Sequence, residues 1–222
     1  MDTYTVAVTS VRQITHDVLG IRTEKPDSFR FTSGQATELA ICKNGWQEIK
    51  RPFTFTCIPS DDYLEFMIKI YPAHKGVTQE LSKIKVNEQL LIGDAWGAIS
   101  YGGPGLFIAG GAGITPFISI FRQLATENRL AGNRLLFANK TRADIILEAE
   151  LNHLLQTNIV HVLSEETSPE YKIGFITADL ISENIPPGSR KVYVCGPPPM
   201  MDAVLAYCRQ LGIADTAITV EI

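Results

Sequence analysis

The stretch Gly105-Leu106-Phe107-Ile108-Ala109-Gly110-Gly111-Ala112-Gly113-Ile114-Thr115-Pro116 constrains the fold more than any other part of the chain. Its first five residues carry no charge and read as a buried strand. That strand runs straight into a turn that glycines favour. Gly111 and Gly113 lack the Cβ that would obstruct a tight reversal or the close approach of a ligand. Thr115 is placed to cap the following helix, and Pro116 fits its first turn, where a missing N–H costs nothing. Strand, glycine turn and helix in this order form the opening unit of a parallel α/β sheet. The helix start then offers free N–H groups to a glycine-lined cleft, a natural site for a dinucleotide pyrophosphate. Pro116 stands where the usual G-x-G-x-x-G fingerprint has its third glycine, and the same turn also suits a strand–helix unit with no ligand.

Downstream, the apolar strands Leu135–Ala138, Ile159–Leu163 and Val192–Cys195 alternate with helical stretches around Pro116–Thr126, Ile145–Leu155 and Pro199–Leu211. Such alternation predicts a parallel sheet with helices on both faces. Upstream, the pattern is one of short strands: Val6 to Val11, Val18–Ile21, Thr37–Ile41, Phe53–Thr56, Leu64–Ile70 and Gln89–Ile92. Turn residues such as Ser33-Gly34 and Asn44-Gly45 separate them, and one short helix near Gly76 to Lys83 interrupts. The expectation is a two-domain protein: an N-terminal antiparallel β-barrel over residues 1–100 and a C-terminal α/β Rossmann-like parallel sheet over residues 101–222. Tyr101-Gly102-Gly103-Pro104 is the expected hinge between them.

Two more constellations bear on chemistry. Cys195-Gly196-Pro197-Pro198-Pro199-Met200 also follows a buried strand and precedes a helix, so it belongs at the same sheet edge as the first turn. Cys195 is placed either to face that cleft or to be a buried structural thiol. On the barrel, Arg51-Pro52-Phe53-Thr54 combines a guanidinium fork suited to a pyrophosphate, an aromatic ring and a hydroxyl; Arg51 and Phe53 share one strand face. An edge arginine beside a core phenylalanine is the plainer account of the same residues. His74-Lys75-Gly76-Val77-Thr78 adds a glycine-led helix start whose amides and Thr78 hydroxyl suit further phosphate oxygens.

A net charge of −4 argues against broad nucleic-acid binding. Cys42, Cys57, Cys195 and Cys208 lack metal-ligand spacing, so neither a zinc site nor an iron–sulfur cluster, nor any other metal site, is expected. There is no apolar run of about 18 residues and no signal-like N-terminus, which predicts a cytoplasmic protein without a membrane span.

Taken in order, these motifs resemble those of the ferredoxin–NADP reductase superfamily, across nearly the whole chain. Phe31-Thr32-Ser33-Gly34-Gln35 resembles its F-x-x-G-Q turn, Arg51-Pro52-Phe53-Thr54 its R-x-Y-S flavin motif, and Gly76-Val77-Thr78 its G-x-x-S/T phosphate turn. Gly111–Pro116 is similar to its G-x-G-x-T-P nicotinamide motif, and Cys195-Gly196-Pro197-Pro198 to its C-G-P-P motif, with Met200 following. The resemblance implies a flavin, FAD with FMN as the alternative, held by the barrel and facing the nucleotide domain. It implies that Arg51 binds flavin phosphate, Phe53 packs on the ring system and Thr54 lies near flavin N5. Pro52, Ile68, Ile70, Gly76, Val77 and Thr78 complete the flavin site. Gly111, Gly113, Ile114, Thr115, Pro116, Cys195, Gly196, Pro197 and Met200 hold the nicotinamide cofactor. Thr54 and Cys195 are the residues expected at the reacting atoms. The chain departs from the family in Phe53 for tyrosine, Thr54 for serine, and an end at Val220-Glu221-Ile222 without a terminal aromatic; Glu221 is either a site residue or a solvated carboxylate.

The function implied is reduction of a bound flavin by NAD(P)H, followed by electron transfer to a redox protein carried on a separate chain, such as a ferredoxin or flavodoxin. Two alternatives are an electron-transfer subunit of a multi-component oxygenase or hydrogenase-like system, and a flavin-free nucleotide-binding protein. Asn139-Lys140-Thr141-Arg142 suits the 2′-phosphate of NADPH, whereas Ser164-Glu165-Glu166 repels it and suits the free ribose hydroxyls of NADH. The balance leans to NADH.

Overall fold

Leu64, Phe66 and Ile68 point into one apolar core while Met67, between them, packs into another. A strand buried on both faces in this way must lie between two layers. The computed structural model describes residues 3–71, 75–189 and 191–220, and in it this strand, Tyr63–Lys69 (β5), is the seam of the molecule.

The N-terminal layer comprises β1 (Tyr4–Thr15), β2 (Val18–Glu24), β3 (Ala36–Ile41), β4 (Arg51–Thr54), β5 and β6 (Gln89–Trp96), with the helix α1 (Val77–Leu81) before β6. The strands pair antiparallel in the order β4-β3-β6-β1-β2-β5. A bridge between Phe55, just beyond β4, and Phe66 of β5 joins the two edges, so the sheet closes on itself. Closure removes the exposed edges that an open sheet would have to protect. The interior is filled by Val6, Ile21, Leu39, Phe55, Leu64, Phe66 and Leu90, with Phe29, Phe31, Phe55 and Phe66 in edge-on or tilted contact.

The second layer runs β7 (Gly105–Gly110), α2 (Thr115–Thr126), β8 (Arg134–Asn139), α3 (Glu148–Leu155), β9 (Ile159–Leu163), β10 (Lys172–Ile173), α4 (Ala178–Asn184), β11 (Lys191–Cys195), α5 (Pro198–Gln210) and β12 (Ile218–Val220). All its strands are parallel, in the order β10-β9-β8-β7-β11-β12. Residue parity in β7 assigns the two sheet faces. Phe107 and Ala109 pack with α2 and α3, whereas Leu106 and Ile108 pack with α4 and α5. The strands β10 and β12 and the helix α4 lie outside the elements expected from the sequence; the strands are too short to carry a periodic signal.

The first of these cores extends across the seam, taking in Val18, Met67 and Ile99 alongside Phe117, Ile118 and Phe121. The connector expected to be a hinge is pinned. The Tyr193 hydroxyl accepts from Gly102 N at 3.0 Å and donates to Gly103 O at 2.8 Å, and the Tyr101 and Tyr193 rings stack. Among the described residues no helix is long and apolar enough to cross a membrane.

Candidate active site

In the parallel sheet the chain builds outward from β7 to β8, β9 and β10, then returns to the other side of β7 as β11. The reversal between β7 and β11 is a topological switch point, where the loops beyond the strand ends diverge and leave a crevice. Both expected turns lie there. They touch through their backbones: a Cβ on Gly113 would sit 2.6 Å from Gly196 N and closer still to the Cys195 carbonyl. Gly111 has φ +51 and open space where its Cβ would be, so it supplies a left-handed corner beside the crevice.

One expectation fails in detail. Thr115 does not cap α2. The glycine turn continues as a 3₁₀ turn, Gly111–Ile114, directly into the helix, so Thr115 is its first residue. Its hydroxyl donates back to Ala112 O at 3.0 Å. Pro116 occupies the first helical turn as expected. Ile114 and Pro116 are buried, and Ile114 belongs to the core, so these side chains anchor the turn and do not line the crevice.

The crevice is a groove of ≈ 530 Å³. Gly111, Gly113 and Thr115 form its floor, and Cys195, Gly196, Pro197 and Met200 one wall. The barrel supplies Lys69 and Tyr71, so the two halves share this groove. Its far end is lined by Asn139, Lys140, Asp144, Ser164 and Phe175. Lys69 holds Asp17 at 2.7 Å. Burial alone would raise the Asp17 carboxyl, but hydrogen bonds from Lys69 and Thr15 hold it below the ordinary carboxylate value. Lys140 pairs with Glu165 at 2.9 Å, and Glu166 accepts from Arg142 N at 2.8 Å.

The barrel motif is placed differently. Arg51 is exposed, and its guanidinium donates to the neighbouring Lys50 carbonyl at 2.7 Å. Pro52 is exposed, while Phe53 and Thr54 are half-buried opposite Thr37 and Ala36 of β3. None of the four lines the groove described above. Gly76 begins α1 with extended backbone and no side-chain cap, and Thr78 is half-buried behind it. The side chains of Val77 and Ile68 are buried in the barrel core and Ile70 packs against it, because alternate residues of these elements must fill the barrel. On β5 and beyond it, Lys69 and Tyr71 face the groove instead. His74 and Glu221 lie outside the described residues.

Sequence reasoning missed Lys69, Tyr71, Asp144 and Phe175. The first two were legible from parity once Ile68 was placed inside the barrel. Phe175 is 79% exposed and follows a two-residue strand, which gives no pattern to read.

The residues fit the cofactors the motifs call for. Asn139 lines the groove at 8% exposure with both amide atoms unpartnered, an arrangement that is costly unless a ligand or water completes it. The Arg51 guanidinium has no carboxylate partner among the described residues and remains available to an anion.

A closed β-barrel sharing a groove with a parallel sheet at its switch point is the architecture expected of a flavin- and pyridine-nucleotide-dependent oxidoreductase. Comparison with known proteins agrees. Residues 3–131 match an FAD-binding domain and residues 107–206 an oxidoreductase NAD-binding domain. The chain belongs to the ferredoxin–NADP reductase superfamily. It is 34% identical to NADH-cytochrome b5 reductase 2 of Rattus norvegicus over 200 residues, covering 71% of this chain and 72% of that protein. It is 30% identical to the reductase component of propane 2-monooxygenase from Gordonia sp. (strain TY-5), covering 94% of this chain and 64% of that protein. The solved CS-b5R domains of human Ncb5or, in an NAD+ form, superpose with a TM-score of 0.87 at 25% identity over 100% of this chain and 70% of that one. The protein takes reducing equivalents from NADH or NADPH onto bound FAD and passes electrons to a separate acceptor. The FAD-binding match leaves the flavin-free alternative without support.

Proposed function

We propose that the protein is an NADH-preferring flavin reductase whose acceptor is a small one-electron redox protein on a separate chain, of the b-type cytochrome or oxygenase-component kind. In this reading residues 1–100 hold FAD and residues 101–222 hold the nicotinamide cofactor. Arg51 and Pro52 bound the flavin phosphate site, Phe53 packs on the ring system, and Thr54 offers its hydroxyl to a ring nitrogen. Gly76 and Thr78 take phosphate oxygens from the other side. Gly111, Gly113, Thr115, Cys195, Gly196, Pro197 and Met200 orient the nicotinamide, and orientation is the main service the protein renders, because the cofactors carry the chemistry. No disulfide joins the four cysteines, in keeping with a reducing, cytoplasmic setting.

The observation that carries the coenzyme preference is the Lys140–Glu165 pair at the far end of the groove. A 2′-phosphate arriving there meets a lysine already engaged by a carboxylate, with Glu166 beside it. Arg142, the other cation of that loop, is engaged by Glu148 and Glu170. Free ribose hydroxyls suffer no such repulsion and can donate to a carboxylate. The pair is exposed, so it steers the choice of coenzyme rather than stabilising the fold.

The test is to identify the bound flavin, then mix the protein anaerobically with each coenzyme and follow loss of the flavin colour. Bleaching by NADH is expected, with the higher catalytic efficiency. A preference for NADPH of about tenfold or more, a difference of roughly 1.4 kcal/mol, would reverse the assignment. Both kinds of acceptor have support among the relatives, since a cytochrome b5 reductase and an oxygenase reductase component match 90% and 94% of this chain. Recovery of a stable oxygenase or ferredoxin subunit in a pull-down would select the oxygenase-component kind, and recovery of a b-type cytochrome the other.

A further inference from the structure

Glu65 is a fully buried carboxylate in the middle of the seam strand β5, at 0% exposure. Its two oxygens face different parts of the molecule. Oε2 accepts from two barrel arginines, Arg12 Nη2 at 3.1 Å and Arg22 Nε at 2.8 Å. Oε1 accepts from the Thr56 hydroxyl at 3.0 Å and from Arg122 Nη1 at 2.7 Å, and Arg122 belongs to helix α2 of the nucleotide-binding half. Arg122 also donates to Thr56 O at 2.8 Å and forms a two-pronged pair with Glu150 of α3, at 2.5 and 2.9 Å. One turn earlier on α2, Ser119 donates to Cys57 O at 2.6 Å.

We propose that Arg122, held between Glu65 and Glu150, is a positioning residue that sets the angle of the nucleotide-binding half against the barrel and thereby the alignment of the two cofactors. It touches neither cofactor site. The inference rests on the oxidoreductase reading and adds to it a device that acts at a distance.

The geometry explains why the angle matters. β5 and α2 each run from this cluster to the groove: Glu65 leads to Lys69 on one, and Arg122 leads back to Thr115 on the other. At about 3.3 Å per strand residue and 1.5 Å per helix residue, the groove lies roughly 10 to 13 Å from the cluster. A rotation of about 5° about the cluster moves the groove floor by about 1 Å relative to the barrel, and a misplacement of that size costs on the order of a hundredfold in rate. Met67 and Val18 also cross the seam, but apolar contacts are non-directional and permit sliding. A forked guanidinium with fixed hydrogen-bond directions does not.

The split between the two carboxylate oxygens makes the idea testable. Replacing Arg122 leaves Glu65 paired with Arg12 and Arg22, so the barrel keeps its own ion cluster. Arg122→Met and Arg122→Lys would be compared with wild type in the flavin-loaded protein. Flavin affinity and NADH dissociation constant should stay within about twofold, while the limiting rate of flavin reduction falls on the order of 10- to 100-fold in the methionine variant, with partial recovery in the lysine variant. A second readout needs no turnover. Spin labels at Glu48→Cys and Gln210→Cys, in a Cys42→Ser background, should give a broader distance distribution in the methionine variant than with Arg122 intact. An unchanged limiting rate and an unchanged distribution in folded variants would overturn the proposal. Should the methionine variant fail to fold, Glu150→Gln, which loosens one side of Arg122, is put through the same two measurements, and the same pair of unchanged results would overturn the proposal. Failure of the wild type to be reduced by either coenzyme would instead sink the oxidoreductase reading.

Discussion

The two glycines of the turn after β7, Gly111 and Gly113, should fail in opposite ways when given a methyl group. At Gly113, the new Cβ would lie 2.6 Å from Gly196 N and nearer still to the Cys195 carbonyl, all of it backbone. No side chain can rotate away to relieve this contact, so β11 and the glycine turn must separate. Overpacking of this kind costs typically 1–3 kcal/mol, and the backbone contact puts Gly113→Ala at about 3 kcal/mol. For a chain of this size each kcal/mol shifts the melting temperature by roughly 2–4 °C, which predicts a fall of about 6–12 °C. At Gly111, nothing lies within 4 Å of the added Cβ, and the cost is only that of an L-residue at φ +51. That cost is roughly 1–2 kcal/mol, or about 2–8 °C. Because Gly111 forms part of the groove floor, the methyl group should also weaken NADH binding. Thermal unfolding at matched flavin content, with NADH titrations alongside, separates the two effects. Gly113→Ala melting like wild type would refute the close approach of the two turns. Gly111→Ala with unaltered NADH affinity would take that residue out of the nucleotide site.

Other substitutions test single residues of the proposed site and the electrostatics around it. Arg51→Ala should weaken FAD retention by roughly 10- to 100-fold, the value of a hydrogen bond from a charged group to a phosphate, as measured by equilibrium dialysis. Cys195→Ala should leave flavin bound and slow its reduction by about tenfold, by enlarging the wall against which the nicotinamide is aligned; an unaltered rate in stopped flow removes Cys195 from the mechanism. Acidification should destabilise the fold in two stages. Burial lowers the pKa of His161 below 6.5, so its contribution is present above 6.5 and is lost as pH falls. Burial alone would raise the Glu65 carboxyl, but Arg122 and Arg22 hold it below 4.5, so its contribution is lost only under stronger acid. His161→Gln should abolish the first stage of the melting-temperature profile and leave the second; a retained first stage would assign it to another group.

The two-part organisation was legible because the pattern of the chain changes at residue 100, from short strands divided by turns to strands divided by helices. The two turns at the switch point were legible because each joins an uncharged apolar strand to a helical stretch through glycine and proline, which mark tight turns and helix starts. The cap expected at Thr115 is absent, since sequence does not distinguish a helix entered from a loop from one entered through a 3₁₀ turn. The barrel wall of the groove was hidden for a deeper reason. Leu64–Ile70 reads as nearly continuous apolar character because β5 is covered on one side by the barrel core and on the other by α2. Such a strand gives no inside or outside by its pattern, and only the fold shows that Lys69 borders the groove while the Ile68 side chain fills the barrel. The charges in that run are Glu65 and Lys69, and of the two Glu65 is fully buried. A charge in an otherwise apolar strand demands a partner, but nothing local names Arg122, 57 residues away.

Stability alone does not account for that charge. A buried ion pair is often no better than well-packed apolar residues of similar volume, and apolar residues spanning the seam would hold the two halves together without it. What they would not supply is direction. Arg122 spends its guanidinium on three fixed acceptors, Glu65 and Thr56 on the barrel side and Glu150 on its own side, and these fix rotation as well as separation. The groove has the complementary need. Its floor and its barrel wall come from different layers, and alignment across it survives only if the layers cannot turn against each other. The ion cluster thus lies on the seam but away from the groove, where burial of Glu65 strengthens its hydrogen bonds and where it does not compete with the ligands for space.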